Sequence, residues 1–195
     1  MDSPVETKRI GDYKISIYTD ENPDSPRNWD NLGTMVCFHN RYNLGDKHEL
    51  NHRYYKGWDD MEAHIIKDND VSVILPLFLY DHSGITMRTT SFHDQWDSGQ
   101  IGFIYVSKKK IREEYSVRYV TKKMRERITG YLIAEVETYD QYLRGDVYGF
   151  VITKHGEEVD SCWGYYGTEV AMDKAESVVT YYIVKEKESI KEETV

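Results

Sequence analysis

The stretch DVYGFVITKHGEEVDSCWGYY, residues 146–166, decides the fold class. Two β-rich runs, 146–154 and 157–166, flank the dipeptide His155-Gly156. Two residues of this kind between strand-forming runs are a β-hairpin signal, and a hairpin makes antiparallel neighbours. On the C-terminal side, residues 168–183 place Val170, Ala171, Ala175, Val178, Val179 and Tyr182 at helical spacing. The last eleven residues, KEKESIKEETV, are charged and are expected to fray.

On the N-terminal side, Gly145 ends the longest expected helix, 122–144, and Thr121 can cap its start. Its stripe is Met124, Ile128, Tyr131, Leu132, Glu135/Val136, Tyr139 and Leu143. Ser107 can cap a short helix running to Tyr115. Strands are expected at 12–20, 34–39, 71–80, 85–92 and 101–107, and a helix at 58–68. Pro76 cannot donate to a ladder, so its strand should be an edge or carry a bulge there. Residues 20–33 read as a long ordered loop, and 40–57 as polar chain broken by two glycines. The sum is an α+β fold: a mostly antiparallel sheet with two or three covering helices. One domain is expected over 1–184, with a charged tail at 185–195.

Composition narrows the class. No apolar run approaches the length of a membrane span, and MDSPVETKRIGDY lacks the apolar core of a signal peptide. Cys37 and Cys162 are far apart and in no CxxC pattern, as expected of reduced thiols in a cytoplasmic protein. Seventeen tyrosines suit half-buried surfaces and interfaces. The net charge is −9 and uneven: residues 108–127 carry a local +6, leaving −15 on the rest. The acidic body discourages non-specific nucleic-acid binding, while 108–127 could meet phosphate, an acidic partner or simply water.

Four constellations could carry chemistry. HELNH, residues 48–52, has the spacing of zinc hydrolases, with His48 and His52 on one helical face and Glu49 as general base. Its surroundings argue against that reading. Leu50 is the only aliphatic side chain from Asp46 to Lys56, and Tyr55 and Trp58 stand where the extended motif needs Gly and His. Glu62 is the nearest acid that could act as third ligand. The second constellation is a pair of polar loops around strong strands. If those strands are neighbours, Asp81, His82, His93, Asp94 and Asp97 converge, and could hold a divalent metal for phosphodiester hydrolysis. The same residue types are ordinary in turns. Third, Asp20, Glu21, Asp24 and Asp30 lack the spacing of a calcium loop and read as caps. Fourth, Cys37 and His39 share a strand face, yet nothing nearby would activate the thiol. No P-loop, dinucleotide glycine fingerprint or GxSxG occurs.

DENPDSPRNWDNLGTMVCFHNRYNLGD, LPLFLYDHSGITM, WDSGQIGFIYVS, VETYDQYLRGDVYGF and DSCWGYYG together span about Asp20 to Gly167. In these stretches the chain resembles a family of small proteins of bacteriophages and other mobile elements. The resemblance brings no activity with it, and HELNH lies outside it. It implies a setting in which small accessory proteins bind and inhibit host proteins, including restriction or CRISPR components, in the host cytoplasm.

The first expectation is therefore a binding protein that inhibits a host defence system. Its partner surface would be Trp29, Asp30, Asn31, Asp81, His82, Asp94, Trp96, Asp97, Ser98 and Gln100. The partner would be a host protein or complex, with nucleic acid possible through 108–127 and no membrane. No catalytic residue or cofactor belongs to this reading. The alternative is a metal-dependent hydrolase of nucleic acid or nucleotides, with Asp81, His82, Asp94 and Asp97 around a divalent metal.

Overall fold

The computed structural model describes residues 3–94 and 96–193. Among these residues the fold is α+β, with eight strands in two antiparallel sheets and four α-helices. The chain divides into two compact units. The first combines the residues up to Asp24 with those from Gly145 onward, and the second is Ser25–Arg144.

The first unit is a four-stranded sheet, in the order β1 (Glu6–Ile10), β2 (Tyr13–Thr19), β7 (Val147–Lys154) and β8 (Glu157–Tyr166), with α4 (Thr168–Glu193) on one face. The β7–β8 hairpin turns through His155 at φ 53° and Gly156 at φ 92°. Two successive positive φ angles match the right-handed twist of the flanking strands. On β2, Tyr13, Ile15 and Ile17 point inward as the alternation predicts. They meet Phe150 and Ile152 of β7, while Ala171, Ala175 and Val179 bring α4 close. Strand β1 was not legible in the sequence, because ETKRI is charged and lies exposed at the sheet edge. Helix α4 runs through the charged segment expected to fray. Its later turns are held by ion pairs, Lys185 with Glu188 and Lys154 with Glu186, and by the Tyr13 hydroxyl donating to Glu186.

The second unit is also a four-stranded sheet, in the order β3 (Thr34–Cys37), β6 (Ser98–Ser107), β4 (Val71–Asp81) and β5 (Ile85–Arg88). Helix α3 (Lys122–Arg144) covers one face, where Ile128, Leu132, Val136 and Tyr139 meet Met35, Leu77, Ile104 and Val106. On the other face α1 (Trp58–Asn69) packs Met61 and Ile65 on Val71 and Phe103. Burial on both faces explains why β6 reads as a continuous apolar run rather than an alternating one. Thr121 Oγ1 accepts the Met124 N–H at 3.2 Å, and Gly145 follows α3 at φ 73°. Ser107 caps α2 (Lys108–Glu114) by accepting the Lys110 N–H. Pro76 sits where β4 has one neighbour only, because the short β5 pairs with Phe78–Asp81 and leaves the rest of that side open.

Candidate functional site

The pairing of β4 with β6 builds the site. Tyr80 stands opposite Ser98, and the Asp81 N–H donates to the Asp97 carbonyl at 2.8 Å. The loop after β4 therefore meets the loop before β6. His82 Nδ1 lies 3.0 Å from Asp97 Oδ2, with the His82 side chain mostly in water and that of Asp97 partly so. The Asp94 carboxylate accepts the Trp96 N–H at 2.8 Å, and the Ser98 hydroxyl donates to the Asp94 carbonyl. These bonds close a local turn that presents Trp96, whose side chain is 96% exposed.

Asp81 faces another way. Its carboxylate is paired with Arg41 and lies within reach of the Tyr42 hydroxyl. The expected convergence is thus pairwise. Among the described residues, no group of three or more His, Cys, Asp or Glu side chains is placed to hold a metal ion. The His82–Asp97 pair can orient an imidazole, but among the described residues no third ligand stands beside it.

Ser98 and Gln100 belong to β6 itself, which starts three residues before the expected strand. Gln100 Nε2 donates to the Gly102 carbonyl at 3.4 Å, and the side chain lines a groove of about 860 Å³. The groove runs between the end of β3, the polar chain after it and the start of α1. Here lie the histidines of HELNH, though not on a common helix. His48 sits in irregular chain, and only His52–Tyr54 form a 3-10 turn. Both rings pack edge-on against Phe38, at centroid distances of 4.8 Å for His48 and 5.8 Å for His52. The zinc-hydrolase geometry is therefore absent, since that motif needs a full helical turn between its ligands. His48 Nε2 lies 3.0 Å from the Cys37 carbonyl, while its Nδ1 is buried without a partner. An unmet buried polar atom of this kind costs about 1–3 kcal/mol. Burial pushes the Cys37 thiol up to about 12, helped by the Asp46 carboxylate, so Cys37 stays an unreactive thiol.

Trp29, Asp30 and Asn31 are elsewhere. Thr34 pairs with Tyr105 near the far end of β6, so the Trp29 loop and the Trp96 loop lie at opposite ends of that strand. Trp29 is half exposed beside a smaller cleft lined by Tyr115 and Tyr131. Asn31 Nδ2 donates to the Pro26 and Trp29 carbonyls and braces the loop. The ten expected contact residues are therefore two surfaces, not one.

Compared with family models, curated proteins and solved structures, the chain matches none.

Sequence reasoning missed one cluster. Arg27, almost fully buried, donates through Nε and Nη2 to both Asp46 oxygens at 2.9 and 2.7 Å. Its Nη1 reaches Glu135 Oε2 at 3.2 Å, and Glu135 Oε1 accepts the Leu32 N–H at 2.7 Å. Asp46 Oδ2 also accepts the Met35 N–H at 2.8 Å. Burial works against the Arg27 charge, but the two carboxylates outweigh it and raise the guanidinium pKa. The cluster clamps the loop bearing Trp29 onto α3. Its only trace in the sequence was Glu135, the acid interrupting an apolar stripe.

Proposed function

We propose that the protein acts by binding a macromolecular partner, and that the partner is a host protein belonging to a defence system. The observation that carries the first half is Trp96, an indole 96% exposed on a turn closed by Asp94 and Ser98. A large amphipathic ring in water on a braced loop suits an interface anchor, because little conformational entropy is lost when it is covered. His82 and Asp97 pair at the same corner and would supply the polar specificity, with Asp81 turned toward Arg41 beside it and Gln100 further along β6. The defence setting rests on the resemblance to phage and mobile-element proteins. Trp29 with Asp30 and Asn31 would form a second contact at the far end of β6. Among the described residues no helix is long and apolar enough to cross a membrane.

Much of the basic segment has partners within the fold. Lys108 pairs with Asp70, Lys110 donates to the Asn31 carbonyl, and the Arg127 guanidinium lies over Tyr115 and Tyr131. That favours a protein over nucleic acid as the principal partner.

The test is phage plating on bacteria that carry a restriction or CRISPR system and express this protein. Wild type should raise plating efficiency at least about tenfold, and Trp96→Ala should abolish the gain, since a central Trp anchor is worth about 2–4 kcal/mol. Unchanged plating on every such host, or full activity in the Trp29→Ala/Trp96→Ala double variant, would overturn the proposal.

A further inference from the structure

The unit built from both chain ends carries a further inference, on the sheet face away from α4. Tyr13, Ile15 and Ile17 of β2 point toward the helix, so Tyr18 points to the other side. Its register partner on β7 is Gly149. The β7–β8 register slips at that glycine, and Trp163 occupies the bulge of β8 beside it. A Cβ at Gly149 would stand 2.2 Å from the Trp163 ring, so the indole rests directly on the glycine backbone. The sheet thus braces the indole, yet Trp163 is still 42% exposed. The rings of Tyr18 and Trp163, with centroids 6.4 Å apart and planes tilted by 37°, form a wedge.

The wedge borders a pocket of about 660 Å³ that is also lined by Asp20 and Glu21 of the turn after β2. That volume suits a small molecule or a long side chain. Asp20 is fixed in place: its N–H donates to the Val147 carbonyl at 2.8 Å, and its Oδ1 accepts the Asn22 N–H at 3.1 Å. Among the described residues no lysine, arginine or histidine pairs with Asp20 or Glu21. The charge of the whole unit has the same sign. It holds 17 of the 34 acidic residues and 8 of the 25 basic ones, a net −9, while Ser25–Arg144 is neutral. Such a field draws cations and repels anions.

We propose that this pocket binds an organic cation, an alkylated ammonium or a guanidinium. The cation lies about 5 Å from both ring centroids, within cation–π range, and the Asp20 and Glu21 carboxylates neutralise it. The ligand class follows from the walls. Carboxylates and the negative faces of the rings both reject an anion. A neutral apolar group would gain area on the rings and nothing from the two acids. A bare metal ion takes oxygen ligands and gains little from the indole. The acids alone would be a solvated turn; the braced indole beside them makes the pocket selective. The shared chemistry is a soft cation, whether free or at the end of a lysine or arginine side chain. The site needs neither Trp29 nor Trp96, so it stands or falls apart from the proposed interface.

The experiment titrates choline, spermidine and the N-acetyl methylamides of lysine, trimethyllysine and arginine into the full-length protein. The control is the neutral isostere of choline, with carbon in place of nitrogen. Readouts are calorimetry and the indole N–H signal of Trp163, assigned with Trp163→Phe. At least one cation should bind and move that signal, and the neutral isostere should not. Trp163→Ala should weaken binding about fivefold. Asp20→Asn/Glu21→Gln, on the surface turn, should weaken it by a similar factor, with the gap to wild type narrowing in high salt. Gly149→Ala leaves both rings and both acids in the chain but displaces the indole, and should match Trp163→Ala. Tighter binding of the amino-acid amides than of choline and spermidine would identify the source as a partner's side chain, and the reverse a free amine. No shift of the Trp163 signal with any cation at millimolar concentration would overturn the proposal. So would equal binding of choline and its isostere, or binding that survives both the ring and the carboxylate substitutions.

Discussion

At the scale of single residues, Arg27 has the largest expected effect on stability. Its guanidinium satisfies two carboxylates that also hold the backbone N–H groups of Leu32, Gly33 and Met35. Replacing it by Met would leave Asp46 and Glu135 facing each other with no cation between them. A broken buried pair costs about 3–5 kcal/mol, far more than a surface pair. Arg27→Met should therefore lower the unfolding free energy of the 25–144 unit by that amount, read as a lower urea midpoint with the m-value unchanged. A loss below about 1 kcal/mol would mean that water already screens the cluster. Nothing in PDSPRNWDNLG marks Arg27 as buried, since a lone cation in a turn-rich loop follows no periodic rule. The same holds for the two tryptophans. Trp29-Asp30 and Trp96-Asp97 look alike in sequence, yet β3 and β6 carry them to opposite ends. Which loops meet depends on strand order, and strand order is not written in local pattern.

At the scale of elements, the legible parts are those with a buried face. Helix α3, the 146–166 hairpin and β2 announce themselves because burial imposes a period on the residues. Strand β1 and the end of α4 have no such face, and their sequences look like tails. What holds the end of α4 is charge. Lys154 lies 2.5 Å from Glu186, and the Tyr13 hydroxyl donates to the same carboxylate. Those bonds, Lys154's first and Tyr13's second, hold the Glu186 carboxyl below the usual range. A lowered carboxylate contributes stability that is full above its unfolded pKa, about 4.3, and is lost as pH falls through the folded value. Tyr13 has the opposite sense. Burial and Glu186 push its phenol above 10, so its contribution is present below that pH and fades as pH rises through the folded value. Amide exchange in the later turns of α4 should be slower in wild type than in Glu186→Gln at pH 7. The two proteins should converge as pH falls below about 4. A gap independent of pH would place the anchor of α4 in its apolar contacts instead.

At the scale of the molecule, the course of the chain sets the folding problem. Every strand of the β3-β6-β4-β5 sheet, and the helices on both its faces, come from the continuous stretch Ser25–Arg144. The other unit needs both ends of the chain. Strand β2 must pair with β7, which lies more than a hundred residues later. Closing so long a loop costs conformational entropy that grows with the logarithm of its length. If the middle stretch folds first, it shortens that loop to the distance between its own ends. The isolated 25–144 fragment should therefore fold, with one cooperative urea transition and dispersed amide signals. Residues 1–24 and 145–195, produced as separate peptides, should remain largely unstructured until mixed. A fragment that binds hydrophobic dye and melts without a cooperative transition would reverse this order, making the terminal sheet a prerequisite for the middle one.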